Sequence, residues 1–232
     1  LQRARDLDGG AMKVAFNRAV RRSPWGGGAH FATVLADYLT KVGHTVVHQL
    51  EDGIDAIVML DPRPEEGGFD AGDIHTYVCS HPKTKVLHRI NDTDIARGTH
   101  FLDPIIMGAN ALVADVTVFI STWVADYYDI KGFRPSHFTT VITNGCDTSV
   151  FYPDVTKPLP QRPVKLVTHH WSDNKNKGLD VYERIDELID VGAPLEFTYV
   201  GRYPKGHVPK HTKIVAPLYG QALGDELRKH DI

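Results

Sequence analysis

Cysteine is scarce in this chain: Cys79 and Cys146 are the only two among 232 residues. Two thiols cannot form a multi-bridge framework, so a disulfide-stapled secreted domain is excluded and a reducing, cytoplasmic setting is the simpler expectation. Long apolar runs are also lacking, and none approaches the roughly 18 residues of a membrane span. Net charge is small, −3 with a pI near 6.5, which argues against a broad nucleic-acid-binding face and leaves only local basic patches open. Thirteen histidines are present, yet no HExxH and no zinc-type Cys/His spacing accompanies them, and His169-His170 reads as structural or supporting rather than as a metal site. G-x-S-x-G, the Walker A loop and G-x-G-x-x-G with its downstream acid are absent too, which removes the usual serine hydrolase, P-loop and dinucleotide oxidoreductase readings.

What is there is a globular composition, 42% hydrophobic and 24% charged, long enough for one large domain or two ordinary ones. Residues 1–11, "LQRARDLDGGA", have neither a signal peptide's apolar centre nor a helical stripe, and are expected to be a leader or a mobile arm before Met12. Short β-rich runs then alternate with helical patterns. Strands are expected at "KVAFN" (13–17), "HTVVHQL" (44–50), "DAIVML" (55–60), "TKVLHRI" (84–90), "DVTVFIS" (115–121) and "FTTVITNG" (138–145). Helices are expected over 28–43, with Phe31, Val34, Leu35, Tyr38, Leu39 and Val42 on one side and Gly43 as the stop, near 103–114, and over 122–130. Long or helical connections favour a parallel sheet, hence the α/β class.

Residues 146–163 break this rhythm with four prolines after Phe151 and read as a linker or a surface loop. Alternation restarts with a strand at 164–170, a helix over 177–191, strands at 195–201 and 213–215, and a helix from Gly220. The expected organisation is therefore a leader (1–11), a first Rossmann-like domain (12–145), a linker (146–163) and a partial second Rossmann-like domain (164–232), whose two or so βα repeats are too few for a complete doubly wound unit.

Four stretches carry candidate chemistry. "SPWGGGAHF" (23–31) sets Gly26, Gly27 and Gly28 between a strand and its helix, where bare N–H groups at the positive helix end suit a phosphate, with Arg18, Arg21 and Arg22 upstream as added charge; a tight βα turn that merely seats the helix is the other reading. "LHRINDTDIARG" (87–98) follows a buried strand, and at the carboxyl end of a sheet His88, Arg89, Asn91, Asp92 and Asp94 are candidates for chemistry or members of a capping loop. "TNGCDTSVFYP" (143–153) reads as a structured hinge, with Asp147 capping a turn and Phe151 and Pro153 as anchors. In "HHWSDNKNKGLDVYERIDELI" (169–189), Lys175 and Lys177 crowd a helix start, which the dipole disfavours unless an anion sits there; the plain alternative is two solvated lysines.

Taken in order, "PWGGGAHFATVLADYLTKVGHTV", "VLHRIND", "ADVTVFISTWVADYY", "VITNGCDTSVFYP" and "WSDNKNKGLDVYERIDEL" resemble the GT-B glycosyltransferases, most closely the retaining family 4 type, from Met12 to the end. The resemblance implies two Rossmann-like domains facing a cleft, the first holding a glycan or lipid-linked acceptor and the second a nucleotide-sugar donor. It implies that Gly26, Gly27 and Gly28 approach the donor phosphates or the sugar, and that Lys177 of the Lys177-Gly178 pair holds the diphosphate. The family's usual Gly-Arg is replaced by "THHWS", leaving Ser172 or Lys175 to substitute. Asp92, or Asn91 beside it, falls where family members contact the sugar near the reacting carbon, and Arg18 and Arg89 become acceptor or phosphate contacts. The implied reaction is front-face transfer with retention, needing positive charge and N–H donors at the leaving diphosphate, with no metal or other cofactor. Family members continue past a segment like "LRKHDI" into a donor-gripping loop, so the chain is expected to be a fragment of a longer enzyme or, alternatively, a non-catalytic GT-B-derived binding module. Peripheral membrane contact and a homodimer covering sheet edges complete the expectations.

Overall fold

The structure is a computed structural model and describes residues 10–20, 26–64, 67–135, 137–154, 156 and 162–232. Most of the expected leader, together with Arg21, Arg22, residues 23–25 and part of the expected linker, lies outside the described residues. The chain groups into two compact units: one from Gly27–Asn144 with the first strand before it, the other from Gly145–Ile232 with Gly26.

In the first unit, β1 (Lys13–Phe16), β2 (Thr45–Val47), β3 (Ala56–Met59), β4 (Lys85–Ile90), β5 (Val116–Phe119) and β6 (Phe138–Val141) form one sheet in the order β2-β1-β3-β4-β5-β6. Every pairing is parallel. All six carboxyl ends therefore share one edge, and the strand order reverses between β1 and β3, which is where an open α/β sheet forms a ligand crevice.

Helices α1 (Gly27–Lys41), α2 (Ala71–Ser80), α3 (Asp94–Arg97), α4 (Leu102–Val113) and α5 (Thr122–Ile130) complete the unit. One core layer joins Ile57, Met59, Ile74 and Val86 beneath α2 and α4, and another joins Val14, Phe16 and Val58 to Ala32 and Ala36 of α1. Burying each large side chain contributes on the order of 1.5–3 kcal/mol. The face of α1 differs from expectation. Ala32, Thr33 and Ala36 are buried and Phe31, Leu35 and Leu39 partly so, but Val34, Tyr38 and Val42 are exposed. The sheet packs on the narrow alanine line, and residues two positions on lie about 200° around the helix.

Helices α2 and α3 stand outside the elements expected from the sequence. The signal for α2 was present: the Asp70 carboxylate accepts the N–H of Gly72 and Asp73 while Asp73 Oδ2 accepts the N–H of Asp70, a reciprocal capping box ahead of Ala71, Ile74 and Tyr77.

The second unit has a parallel sheet of β7 (Val164–His170), β8 (Leu195–Gly201) and β9 (Lys213–Val215) in sequence order, with α6 (Leu179–Asp190) and α7 (Gly220–Leu227). At the end of the β7–β8 pair Gly201 faces His170, and a Cβ there would fall 1.6 Å from the His170 carbonyl oxygen; with φ +145° only glycine fits. Asp186 of α6 is buried and accepts the backbone N–H of Lys210, His211 and Thr212, tying that loop to the helix. Within this unit Arg228, the residue that ends α7, donates to the Val150 carbonyl and lies over the Tyr152 ring, while Asp147 accepts the N–H of Ser149 as the turn was expected to require. No helix among the described residues is long and apolar enough to cross a membrane.

Candidate functional site

In the first unit the site is built at the carboxyl edge of the sheet. Asn17, directly after β1, is fully buried; its Nδ2 donates to the carbonyls of Asp61 and Phe69, and its Oδ1 accepts the Leu60 N–H at 2.7 Å. One side chain thereby joins the ends of β1 and β3 at the switch point. Arg18 Nη2 donates to the Arg63 carbonyl and lies 3.3 Å from the Asp61 carboxylate, which Arg63 also grips with Nε and Nη2. Burial pushes the Asp61 carboxyl up, but the Arg63 hydrogen bonds and the charges of Arg63 and Arg18 outweigh it and hold the group below its ordinary range. Arg18 is thus engaged inside the unit.

Along β4 successive side chains take opposite faces. His88 shares a face with Val86 and is 1% exposed; its Nδ1 accepts from the Asn110 amide at 3.0 Å, and Asn110 also donates to Thr117. Burial, reinforced by His137 and opposed by Asp61, pulls His88 down to about 3, so it is neutral at physiological pH. Arg89 shares a face with Leu87. It is 2% exposed, donates to Asn144 Oδ1 at 2.7 Å and stacks with its guanidinium carbon 3.9 Å from the Phe31 ring centroid. Burial lowers it to about 10, leaving the cation intact at neutral pH.

Asn91 is anchored by its amide nitrogen to the carbonyls of Leu60 and Arg89, at 2.9 and 3.3 Å. The amide end also lies 3.6 Å from where a Cβ on Gly28 would stand, while a Cβ on Gly27 would meet nothing within 4 Å. Asp92 pairs with Arg97 Nε through Oδ2, and its carbonyl accepts the Tyr128 hydroxyl. Thr93 caps α3. Asp94 turns inward to accept from Thr99 and from the N–H of Leu102 and Asp103. Asp103, 1% exposed, in turn accepts from Asp94 N–H, Tyr127 and Lys131 and shares the single Tyr128 hydroxyl proton with the Asp92 carbonyl. Of the expected cluster, His88, Arg89 and Asp94 are therefore buried; Arg89 and Asn91 lie beside the start of α1, and Asp92 is half-buried in the loop after β4. Asn17 and Asp61 stand outside the residues expected from the sequence; their signals are an asparagine closing a β run and a local Asp-x-Arg pair.

In the second unit a Cβ on Gly26 would fall 2.9 Å from the Trp171 indole nitrogen, so the missing side chain there is accounted for by packing. Ser172 follows β7 and is half-buried. Asn174 caps a single 3-10 turn, Lys175–Lys177, by accepting the Asn176 N–H. Gly178 then enters α6 at φ +96°, and no side chain caps that helix, so its first N–H groups and both exposed lysines are presented together. Cationic side chains beside an uncapped helix start suit an anion. Among the described residues no group of three or more His, Cys, Asp or Glu side chains is arranged to hold a metal ion.

No protein-family model matches the sequence, and no curated protein does either. Solved structures do match. Sucrose-phosphate synthase (tll1590) from Thermosynechococcus elongatus superposes with a TM-score of 0.59 at 11% identity over 94% of this chain and 74% of that one. Alr3699/HepE of Anabaena, solved in complex with UDP and glucose, gives a TM-score of 0.59 at 14% identity over 90% of this chain and 70% of its own. At these identities the likeness is one of fold, and it establishes the α/β, GT-B-type architecture that the ordered motifs led us to expect.

Proposed function

We propose that the chain is a glycosyltransferase, or the larger part of one, that transfers a sugar from a nucleotide-sugar donor to a glycan or lipid-linked acceptor with retention. The observation that carries this is the Lys175–Lys177 turn running through Gly178 into the uncapped start of α6, in a fold shared with a structure that holds UDP and glucose. Lys177 and the first N–H groups of α6 hold the diphosphate, with Lys175 and Ser172 beside them, and stabilise the negative charge that grows as the sugar bond breaks. Asp92 and Asn91 contact the sugar near the reacting carbon, Asp92 being held by Arg97 and Asn91 by two carbonyls. Arg89, a buried cation facing an amide and a ring instead of a carboxylate, receives an anionic group of the acceptor or donor. Arg18 supports this edge through Asp61. The leaving diphosphate takes up the acceptor proton, which keeps attack and departure on one face.

The test is transfer and hydrolysis across a panel of nucleotide sugars, with product anomeric configuration read by NMR. Lys177→Ala is expected to weaken nucleoside diphosphate binding about 10- to 100-fold, the size of a lost charge-assisted contact. Donor hydrolysis abolished by Lys177→Ala would exclude the alternative of a non-catalytic module that binds a glycan or partner, and the absence of any nucleoside diphosphate binding would sink the transferase reading.

A further inference from the structure

The Tyr182 hydroxyl lies at the centre of three polar contacts in the second unit. It stands 2.6 Å from the Lys177 carbonyl, 2.7 Å from His170 Nε2 and 3.3 Å from Thr168 Oγ1. A carbonyl can only accept, so the single phenolic proton goes to Lys177 O, and the other two groups must donate to the phenol oxygen. The direction of every bond follows: His170 carries its proton on Nε2, Thr168 turns its O–H inward, and Tyr182 passes the polarity on to the turn. A hydroxyl that accepts twice and donates once is saturated, and such chained bonds reinforce one another.

The ring is held as firmly as the oxygen. Tyr182 packs against Phe197, His170 and Tyr199, with centroids 5.7, 5.9 and 5.6 Å away. A Cβ on Gly178 would come within 3.3 Å of Tyr182 Cζ and Oη, so the glycine both supplies its positive φ and lets the phenol slide beneath the turn. Since Lys177 is the last residue of the 3-10 turn and directly precedes Gly178, fixing its carbonyl fixes the peptide plane that leads into the first N–H groups of α6.

We propose that Tyr182 is a positioning residue for diphosphate binding: its hydroxyl, fed by His170 and Thr168, locks the Lys177 carbonyl and so sets how the turn and the start of α6 face the anion. This rests on the functional reading above, and adds to it a residue that touches no ligand.

The experiment is calorimetric titration of the full chain with UDP, GDP and ADP, each beside its monophosphate. Tyr182→Phe removes one oxygen and keeps the ring. It is expected to weaken diphosphate binding about 3- to 10-fold, one net hydrogen bond's worth, with monophosphate binding unchanged and Tm within about 3 °C of wild type. His170→Leu should give a similar loss that does not add to that of Tyr182→Phe, while His170→Gln, which keeps an N–H, should recover part of it; these two carry the test should Tyr182→Phe fail to fold. Wild-type diphosphate affinity in both Tyr182→Phe and His170→Leu overturns the relay alone when Lys177→Ala still weakens binding. Equal losses for mono- and diphosphates with a lowered Tm overturn it in favour of simple structural support. No effect of Lys177→Ala removes the functional reading and the relay together.

Discussion

The loop after β4 in the first unit is tied down from every side, whereas the turn before α6 in the second fixes its backbone and leaves its lysines in solvent. In the first, carboxylates are consumed internally: Asp92 by Arg97, Asp94 by Thr99 and two N–H groups, Asp103 by two tyrosines, Lys131 and the Asp94 N–H. In the second, the hydrogen bonds run to the Lys177 carbonyl and to the Asn176 N–H, and both lysine side chains stand exposed. Polar density in a sequence therefore has two physical meanings. A cluster that satisfies itself builds a rigid edge; a cluster that satisfies only its main chain keeps charge for something else.

That contrast can be broken by mutation. The largest effect is expected at Asp103→Ala, which strips the partners from two tyrosines and a lysine around a buried carboxylate and should cost about 3–5 kcal/mol in chemical denaturation. Next is pH. Because His88 in the folded protein binds its proton only near pH 3, the unfolded state binds more protons between roughly pH 6.5 and 3, so stability is full above that window and falls as pH drops. The slope should reach about 1.4 kcal/mol per pH unit. Asp61, Asp94 and Asp103 are held below their ordinary values, so they lose their contributions only as pH falls below about 4, and the stretch from 6.5 to 4 belongs to histidine. His88→Gln, which keeps an acceptor for Asn110, should reduce the slope over that stretch in denaturation curves run across pH, the remainder coming from His169 and His170, which burial also lowers. Arg97→Ala, releasing Asp92 from a half-exposed pair, should cost under about 1 kcal/mol, yet on the functional reading should lower transfer more than stability. Smallest in stability is Lys177→Ala, within about 0.5 kcal/mol of wild type despite its expected effect on ligand binding. A large stability loss there would erase the distinction between the two regions.

Much of the fold was legible because strand and helix periods differ, and the runs at 13–17, 84–90 and 195–201 became β1, β4 and β8 almost to the residue. What failed did so for identifiable reasons. On α1 every large apolar residue looked equally fit for burial, but the sheet accepted the alanine line and left Val34, Tyr38 and Val42 outside. Helix α2 is short and carries a glycine in its first turn, so its capping box is a fainter signal than an apolar stripe. At the site, residue type marked Lys177, Arg89 and Asp92 as candidates, yet Asp94 carries the same carboxylate as Asp92 and turns inward. Tyr182 gave no sign at all: a tyrosine on an amphipathic helix looks like packing until the atoms beside its hydroxyl are known.

The order of the chain alone determined that strands and helices would alternate, that a glycine run would stand between the first strand and its helix, and that lysines would gather at one helix start. These follow from local sterics and periodicity, which neighbours in sequence carry with them. Only the tertiary structure decided which polar groups spend their bonding capacity inside the protein, because that depends on partners such as His170 and Tyr182, or Asp94 and Asp103, brought together from different elements. A hydrogen bond exists at about 3 Å or not at all, and no spacing rule along the chain encodes that distance.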